Sequence, residues 1–277
     1  MPHEWAFDLP HYRALDQARL ALFREALGTW KAQLDLQTAW DVGCGIGNFS
    51  ALLKELGFET RAMDGRAENV AEARRRVPGL EICVADAENP ALSGMSGADL
   101  VLCVGLLYHL ENPFRTIRNL TQLTRKILVV ESMCTGDELP LLFLADEDST
   151  EELGLSGSAF FASEACLIKM LYRAGFSHVY RMTRFPDHED FRSSLAKKRS
   201  RTILAATRAE FHSPFLVHME EPPQVRDLWE TKWGKFLHQA RRIPRFVTKP
   251  WPQKKATLRR LLRLEKEISS VRENGAA

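Results

Sequence analysis

No part of this 277-residue chain approaches the roughly 18 uninterrupted apolar residues of a membrane span, so a membrane-embedded architecture is not expected. The opening residues, Met1 to Trp5, lack the basic-then-apolar pattern of a signal peptide, which leads us to expect a cytoplasmic protein. Cysteine is sparse. The five (Cys44, Cys83, Cys103, Cys134 and Cys166) form no Cys-x-x-Cys pair, so reduced, packed thiols are expected rather than a disulfide framework or a structural zinc. Internal repeats and low-complexity tracts are absent, and the C-terminal stretch from residue 210 lacks the interleaved aromatic and basic residues of a single-strand nucleic-acid platform. What remains, 45% hydrophobic and 27% charged, suits one large domain with elaborations.

The most informative residues present are Trp40-Asp41-Val42-Gly43-Cys44-Gly45-Ile46-Gly47. A β-type stretch, Thr38 to Val42, runs into glycines at alternate positions, and a helix-like segment follows from Asn48. Gly43, Gly45 and Gly47 allow a tight turn and close approach of a ligand to the backbone. Asp41 places a carboxylate at the strand end. A dinucleotide loop of the Gly-x-Gly-x-x-Gly type would need its third glycine where Asn48 stands.

Strand and helix patterns then alternate. Phe49 to Leu56 reads as a helix, Phe58 to Met63 as a strand ending at Asp64, and Ala67 to Arg76 as a second helix. An acid about twenty residues beyond a glycine loop is placed to bond the ribose hydroxyls of a nucleoside. Strand Leu80 to Ala85 ends at Asp86, and strand Ala98 to Gly105 runs into Leu106-Leu107-Tyr108-His109. A helix from Asn112 to Arg125 precedes strand Lys126 to Glu131, apolar enough to be buried on both faces. Ser163 to Arg173 reads as a helix, and His178 to Phe185 and Arg201 to Arg208 as an antiparallel pair of strands. The alternation predicts a doubly wound α/β sheet, mostly parallel.

The glycine loop with acids at three successive strand ends resembles the class I S-adenosylmethionine (SAM) methyltransferases, over roughly residues 36–209. That resemblance implies a seven-stranded Rossmann-like sheet of order 3-2-1-4-5-7-6, with SAM as cofactor. It places cofactor contacts at Asp41, Gly43, Cys44, Gly45, Asp64, Gly65, Asp86, Ala87, Gly105 and Leu106, with Asp86 accepting from the adenine amine. The expected division is an N-terminal helical cap (1–37), the methyltransferase domain (38–209) and a basic, mainly helical extension (210–277). In the cap, His11 to Trp30 reads as an amphipathic helix from which Tyr12 and Arg13 can reach the ligand.

Transfer from a sulfonium is an in-line displacement, and a hydroxyl acceptor must also lose a proton. His109, four residues past Gly105 at the carboxyl end of the fourth strand, is the candidate base, and Tyr108 the residue that orients the acceptor. Glu131, at the end of the fifth strand, is a candidate substrate or cap contact. Metal dependence is not expected: Gly105-Leu106 and Glu131-Ser132 replace the aspartate and Asp-Asn pair of metal-assisted O-methyltransferases. Asp137, Glu138, Asp146, Glu147 and Asp148 read instead as an acidic lid. No Asn- or Asp-Pro-Pro-Tyr motif follows strand four, which favours oxygen over nitrogen as acceptor.

The segment Gly105 to Pro113, with Phe161-Ala162-Ser163 and Met170 to Phe176, is similar to methyltransferases of small natural-product hydroxyls and sugars. It also resembles the transferases that carboxymethylate a tRNA wobble uridine, but their nucleic-acid-contacting region precedes the glycine loop, and only about 38 residues do so here. A small-molecule acceptor is therefore expected, with a tRNA-modifying transferase or a non-catalytic SAM-fold module as alternatives. The net charge of +2 conceals an asymmetry, since residues 192–277 hold 20 Lys and Arg against 8 Asp and Glu. That surplus, including Arg241, Arg242 and Arg245, suits either a solvated helical layer or contact with an anionic acceptor or surface.

Overall fold

The structure, a computed structural model, describes residues 5–146, 154–155, 157–192 and 200–223. Residues 1–222 form one compact unit, and a second begins at Pro223. The basic run at Arg241, Arg242 and Arg245, the tryptophans at 229, 233 and 251, and Glu147 and Asp148 of the acidic stretch lie outside the described residues.

Helix α1 (Pro10–Gln33) starts with proline at its first position, where no amide partner is lost. Its buried residues, Leu15, Arg19, Leu22, Phe23, Ala26, Leu27 and Trp30, repeat at helical spacing along one stripe. Next come β1 (Thr38–Val42), α2 (Asn48–Glu55), β2 (Glu59–Asp64), α3 (Ala67–Arg76), β3 (Glu81–Val84) and β4 (Ala98–Val104). The second half holds α4 (Pro113–Leu123), β5 (Thr124–Thr135), β6 (Leu142–Asp146), β7 (Ser158–Ser163), α5 (Glu164–Ala174), β8 (His178–Met182), β9 (Arg201–Thr207) and β10 (Leu216–His218).

The sheet path runs β10-β8-β9-β5-β4-β1-β2-β3, parallel from β5 to β3 and antiparallel from β5 to β10. Without β10 this is the expected order, with β9 and β8 as the closing pair. Among the described residues the sheet has ten strands rather than seven, because three were not foreseen. β6 and β7 form a hairpin whose β7 lies parallel to the end of β5. The acids around Leu142, Phe143 and Leu144 masked β6 as a solvated stretch. β10 pairs with β8 through Leu216, Val217 and His218, so the region expected to open a helical extension instead adds an edge strand.

Every residue of β4 and β9 is buried, as central strands covered on both faces require. One face packs α1 and α2 through Phe23, Leu27, Trp30, Leu52 and Leu53 against Leu102, Val129 and Ile203. The other packs α4 and α5 through Ile117, Leu120, Leu167 and Leu171 against Val101, Val130 and Leu204. Trp30 Nε1 donates to Ser213 Oγ at 2.9 Å, tying α1 to the chain beyond β9. All five cysteines are free thiols. Among the described residues no helix is long and apolar enough to cross a membrane.

Candidate active site

β1 delivers the chain into the glycine loop, where Gly43 and Gly45 have φ of 73° and 52°. A Cβ on Gly43 would stand 2.8 Å from Leu106 Cδ2, and one on Gly45 would stand 2.8 Å from Phe7 Cζ. Glycine is needed twice over, for the left-handed backbone and for the close approach. The N–H groups of Gly43 and Cys44 donate to Met63 O at 2.9 and 3.0 Å, which hangs the loop on β2. Asp64, the last residue of β2, completes the attachment. Its Oδ2 accepts from Gly45 N–H at 2.8 Å, and its Oδ1 accepts from Arg66 N–H at 2.9 Å and Asn69 Nδ2 at 3.0 Å.

A pocket opens over this loop. Gly43, Cys44, Gly45, Asp64, Gly105, Leu106, Tyr108 and His109 line it, as does Tyr12 of α1. The other expected residues are placed differently. Asp86 is exposed beyond the end of β3 and accepts from Glu88 N–H at 2.8 Å, while Ala87 is packed into the core. Gly65 lies under Leu155, whose Cδ1 would be 2.8 Å from an added Cβ. Arg13 points outward, its side chain 62% exposed, and pairs with Asp8 at 3.4 Å. Asp8 also accepts from Arg76 at 2.6 and 3.1 Å, and that guanidinium holds its carboxyl below the usual range. The pair pins the turn Ala6–Asp8, and with it the Phe7 ring, over Gly45.

Asp41 does not reach the pocket. Alternation along β1 gives it the face of Ala39, which packs toward α2, and Ser50 Oγ of that helix donates to it at 2.6 Å. Burial, with the Asp64 charge nearby, outweighs the Ser50 bond and pushes Asp41 up from 3.8 to about 7. Because the folded value is the raised one, the associated stability is complete below pH 3.8 and is lost as pH rises through about 7. Asp41→Asn should therefore melt higher than wild type near pH 8, by the equivalent of about 1–2 kcal/mol, and converge with it near pH 4. Melting curves across that range check this; a constant offset would show that Asp41 titrates normally. Burial likewise pushes the Cys44 thiol far up, so it lines the pocket as an inert group.

The far wall holds a cluster the sequence did not disclose. Tyr12, Leu15, Asp16 and Arg19 project from one face of α1 at helical spacing. Asp16 accepts from Asn48 Nδ2 at 2.8 Å and from Arg19 Nη1 at 3.1 Å. Glu131, completely buried, stands behind the wall rather than on it. Its Oε1 accepts from Arg201 Nη1 at 3.1 Å, and its Oε2 is 2.9 Å from Arg19 Nη2. That second approach is a charge contact without an aligned N–H, so Arg19 Nε, Arg19 Nη2 and Glu131 Oε2 are all buried with no hydrogen bond. Arg201 Nη2 donates to Tyr108 Oη at 3.3 Å, and its Cζ stands 5.3 Å from the Tyr108 ring centroid.

Tyr108 and His109 sit on a 3-10 turn, Leu107–His109, directly after β4. The Tyr108 ring stacks on Phe161 of β7 (6.3 Å between centroids, 11° between planes) and lies 4.2 Å from the His109 ring. Of the residues not foreseen, Arg19 could have been found from its helical face shared with Tyr12. Arg201 was hidden in the sequence, because Lys197, Lys198 and Arg199 just before it make it read as one more charge of a basic run. Among the described residues no group of three or more His, Cys, Asp or Glu is arranged to hold a metal ion.

Residues 40–127 match the family model described as a methyltransferase domain. No curated protein sequence matches the chain. The fold is the α/β, Rossmann-like fold of the solved methyltransferase domain that follows, with a mostly parallel sheet. The N-terminal domain of EvdMO1, solved with SAH bound, is 23% identical, with a TM-score of 0.54 over 71% of this chain and 81% of that one. The same domain solved in the presence of SAH and D-fucose gives 22% identity and a TM-score of 0.54 over 73% of this chain and 84% of that one. Magnesium protoporphyrin IX methyltransferase from Synechocystis PCC 6803, with bound SAM, gives 19% identity and a TM-score of 0.49 over 76% of this chain and 87% of that one.

Proposed function

We propose that the chain is a SAM-dependent methyltransferase acting on a hydroxyl of a small molecule, with His109 as general base. One observation carries the reading. A single pocket runs from the Asp64 carboxylate, past glycines that admit close approach, to the Arg19 guanidinium, whose Nε and Nη2 have no hydrogen bond. Those ends suit the ribose and the amino-acid carboxylate of one ligand. An unmatched buried Arg N–H costs about 1–3 kcal/mol, which an α-carboxylate would recover as a charge-assisted bond. Asp64 retains lone pairs toward the pocket even with Gly45, Arg66 and Asn69 bonded to it.

SAM bound there supplies a methyl already activated by its sulfonium. The chain contributes placement and proton removal. Tyr108, fixed by Arg201 and Phe161, orients the acceptor, and a ring nitrogen of His109 takes the hydroxyl proton.

Two measurements test this. Calorimetry with SAH on the folded protein should show binding; a flat titration sinks the cofactor assignment. Mass-detected transfer from labelled SAM into pools of sugars, phenols and nucleosides should give an oxygen-methylated product. Transfer to nitrogen alone would overturn the hydroxyl assignment and leave the cofactor standing.

A further inference from the structure

We propose that Glu131 is a positioning residue that touches neither ligand and sets both ends of the reaction chamber at once. The inference rests on the SAM reading above and adds to it how the cofactor's amino-acid end and the acceptor wall are held in register.

Glu131 ends the β4–β5 pairing, opposite Val104, and is wholly buried. Arg19 is only 6% exposed and Arg201 only 5%, and they come from elements separated by most of the domain. Among the described residues this carboxylate alone contacts both: Oε2 approaches Arg19 Nη2 and Oε1 accepts from Arg201 Nη1. Beyond Arg19 lies the pocket, where its Nε and Nη2 have no hydrogen bond. Beyond Arg201 lies Tyr108, gripped at its hydroxyl and over its ring.

A carboxylate buried only for stability would be a poor choice, since apolar residues of similar volume often do as well or better. This one has a geometry that stability does not require. It satisfies one arginine and leaves the other misaligned, so Arg19 is held in place by charge while its Nε, which neither Glu131 nor Asp16 engages, is left for an anion. Asp16 and Asp190, both partly exposed, support the arginines from outside, at 3.1 Å from Arg19 and 3.3 Å from Arg201. Neither can span the two guanidiniums.

The test is a ligand truncation. SAH carries the amino-acid end; 5′-methylthioadenosine keeps the nucleoside and lacks it. Wild type should bind SAH about 10–100-fold more tightly, the range for a hydrogen bond to a charged group. Glu131→Gln, whose amide must turn its donors toward one guanidinium, should reduce that preference to about threefold or less while leaving the truncated ligand nearly unaffected. Arg19→Met should do the same, and the double variant should lose no more, because the two changes remove one interaction.

Glu131→Asp keeps the charge but is too short to span both arginines; it should show the same loss and covers the case in which the Gln variant fails to fold. In protein labelled with 3-fluorotyrosine, the resonance assigned by Tyr108→Phe should shift in the Glu131 variants and stay put in Arg19→Met. A preference for SAH undiminished in folded Glu131 variants overturns the proposal while the SAM reading stands. Equal loss of both ligands would make Glu131 a general stabiliser and also overturns it. Failure of wild type to bind either ligand removes the SAM reading and this inference with it.

Discussion

Alanine in place of His109 is expected to cut turnover about 10²–10⁴-fold while SAH affinity stays close to wild type. The imidazole is carried by the short turn Leu107–His109, whose end is fixed by His109 N–H donating to Leu106 O at 2.9 Å. It lines the same pocket as the glycine loop, at the carboxyl end of β4, where ligands of open α/β sheets bind. A base removes the hydroxyl proton only during transfer, so its loss should fall on the chemical step and spare cofactor binding. Single-turnover rates at saturating acceptor decide the matter. Turnover within a few-fold of wild type would leave His109 as packing against Tyr108.

Asp64→Ala should weaken SAH by roughly 1.5–3 kcal/mol, the range for a hydrogen bond to a charged group. The structure adds a second effect. The same carboxylate accepts from Gly45 N–H, Arg66 N–H and Asn69 Nδ2, so its removal strips the glycine loop of a support as well as the ligand of an acceptor. The melting temperature should fall together with the affinity. Asp64→Asn, which keeps one acceptor oxygen, should fall between. Unchanged SAH affinity in a folded Asp64→Ala protein would refute the ribose assignment.

Most of the parallel sheet was legible because its physics is local. Helix α3 spans Ala67–Arg76 as its periodicity and flanking signals require, and β4 and β9 are readable from their apolar stretches Leu100 to Val104 and Ile203 to Ala206. The glycine loop and Asp64 were legible for the same reason. Asp41 misled because a strand end says where a residue stops but not which face it takes. Counting from Ala39 and Trp40 would have assigned it to the α2 side. The cluster of Arg19, Glu131 and Arg201 was beyond reach as a cluster. No spacing rule joins the three positions; only the pairing of β5 with β9, and of α1 with that face, does so. β6 was lost for a different reason, because its apolar residues are exposed on a hairpin, where burial leaves no pattern to read.

β5 changes neighbour along its length. On one edge it pairs with β4 as far as Glu131, then with β7 at Cys134 and Thr135, while β9 runs unbroken along the other edge. The turn carrying Tyr108 and His109 lies where β4 ends, with Phe161 of β7 against it. The strand is thus a seam between two inheritances. On the near side lies β4, in register with β5 from Leu100 to Val104, where the turn of Tyr108 and His109 begins. On the far side, the β6–β7 hairpin meets the strand at two positions, Cys134 opposite Ala162 and Thr135 opposite Ser163. Side chains exchanged on β7 beside Phe161 would therefore reshape the wall at Tyr108 while leaving the pairing of β1 with β2 and β4 in place.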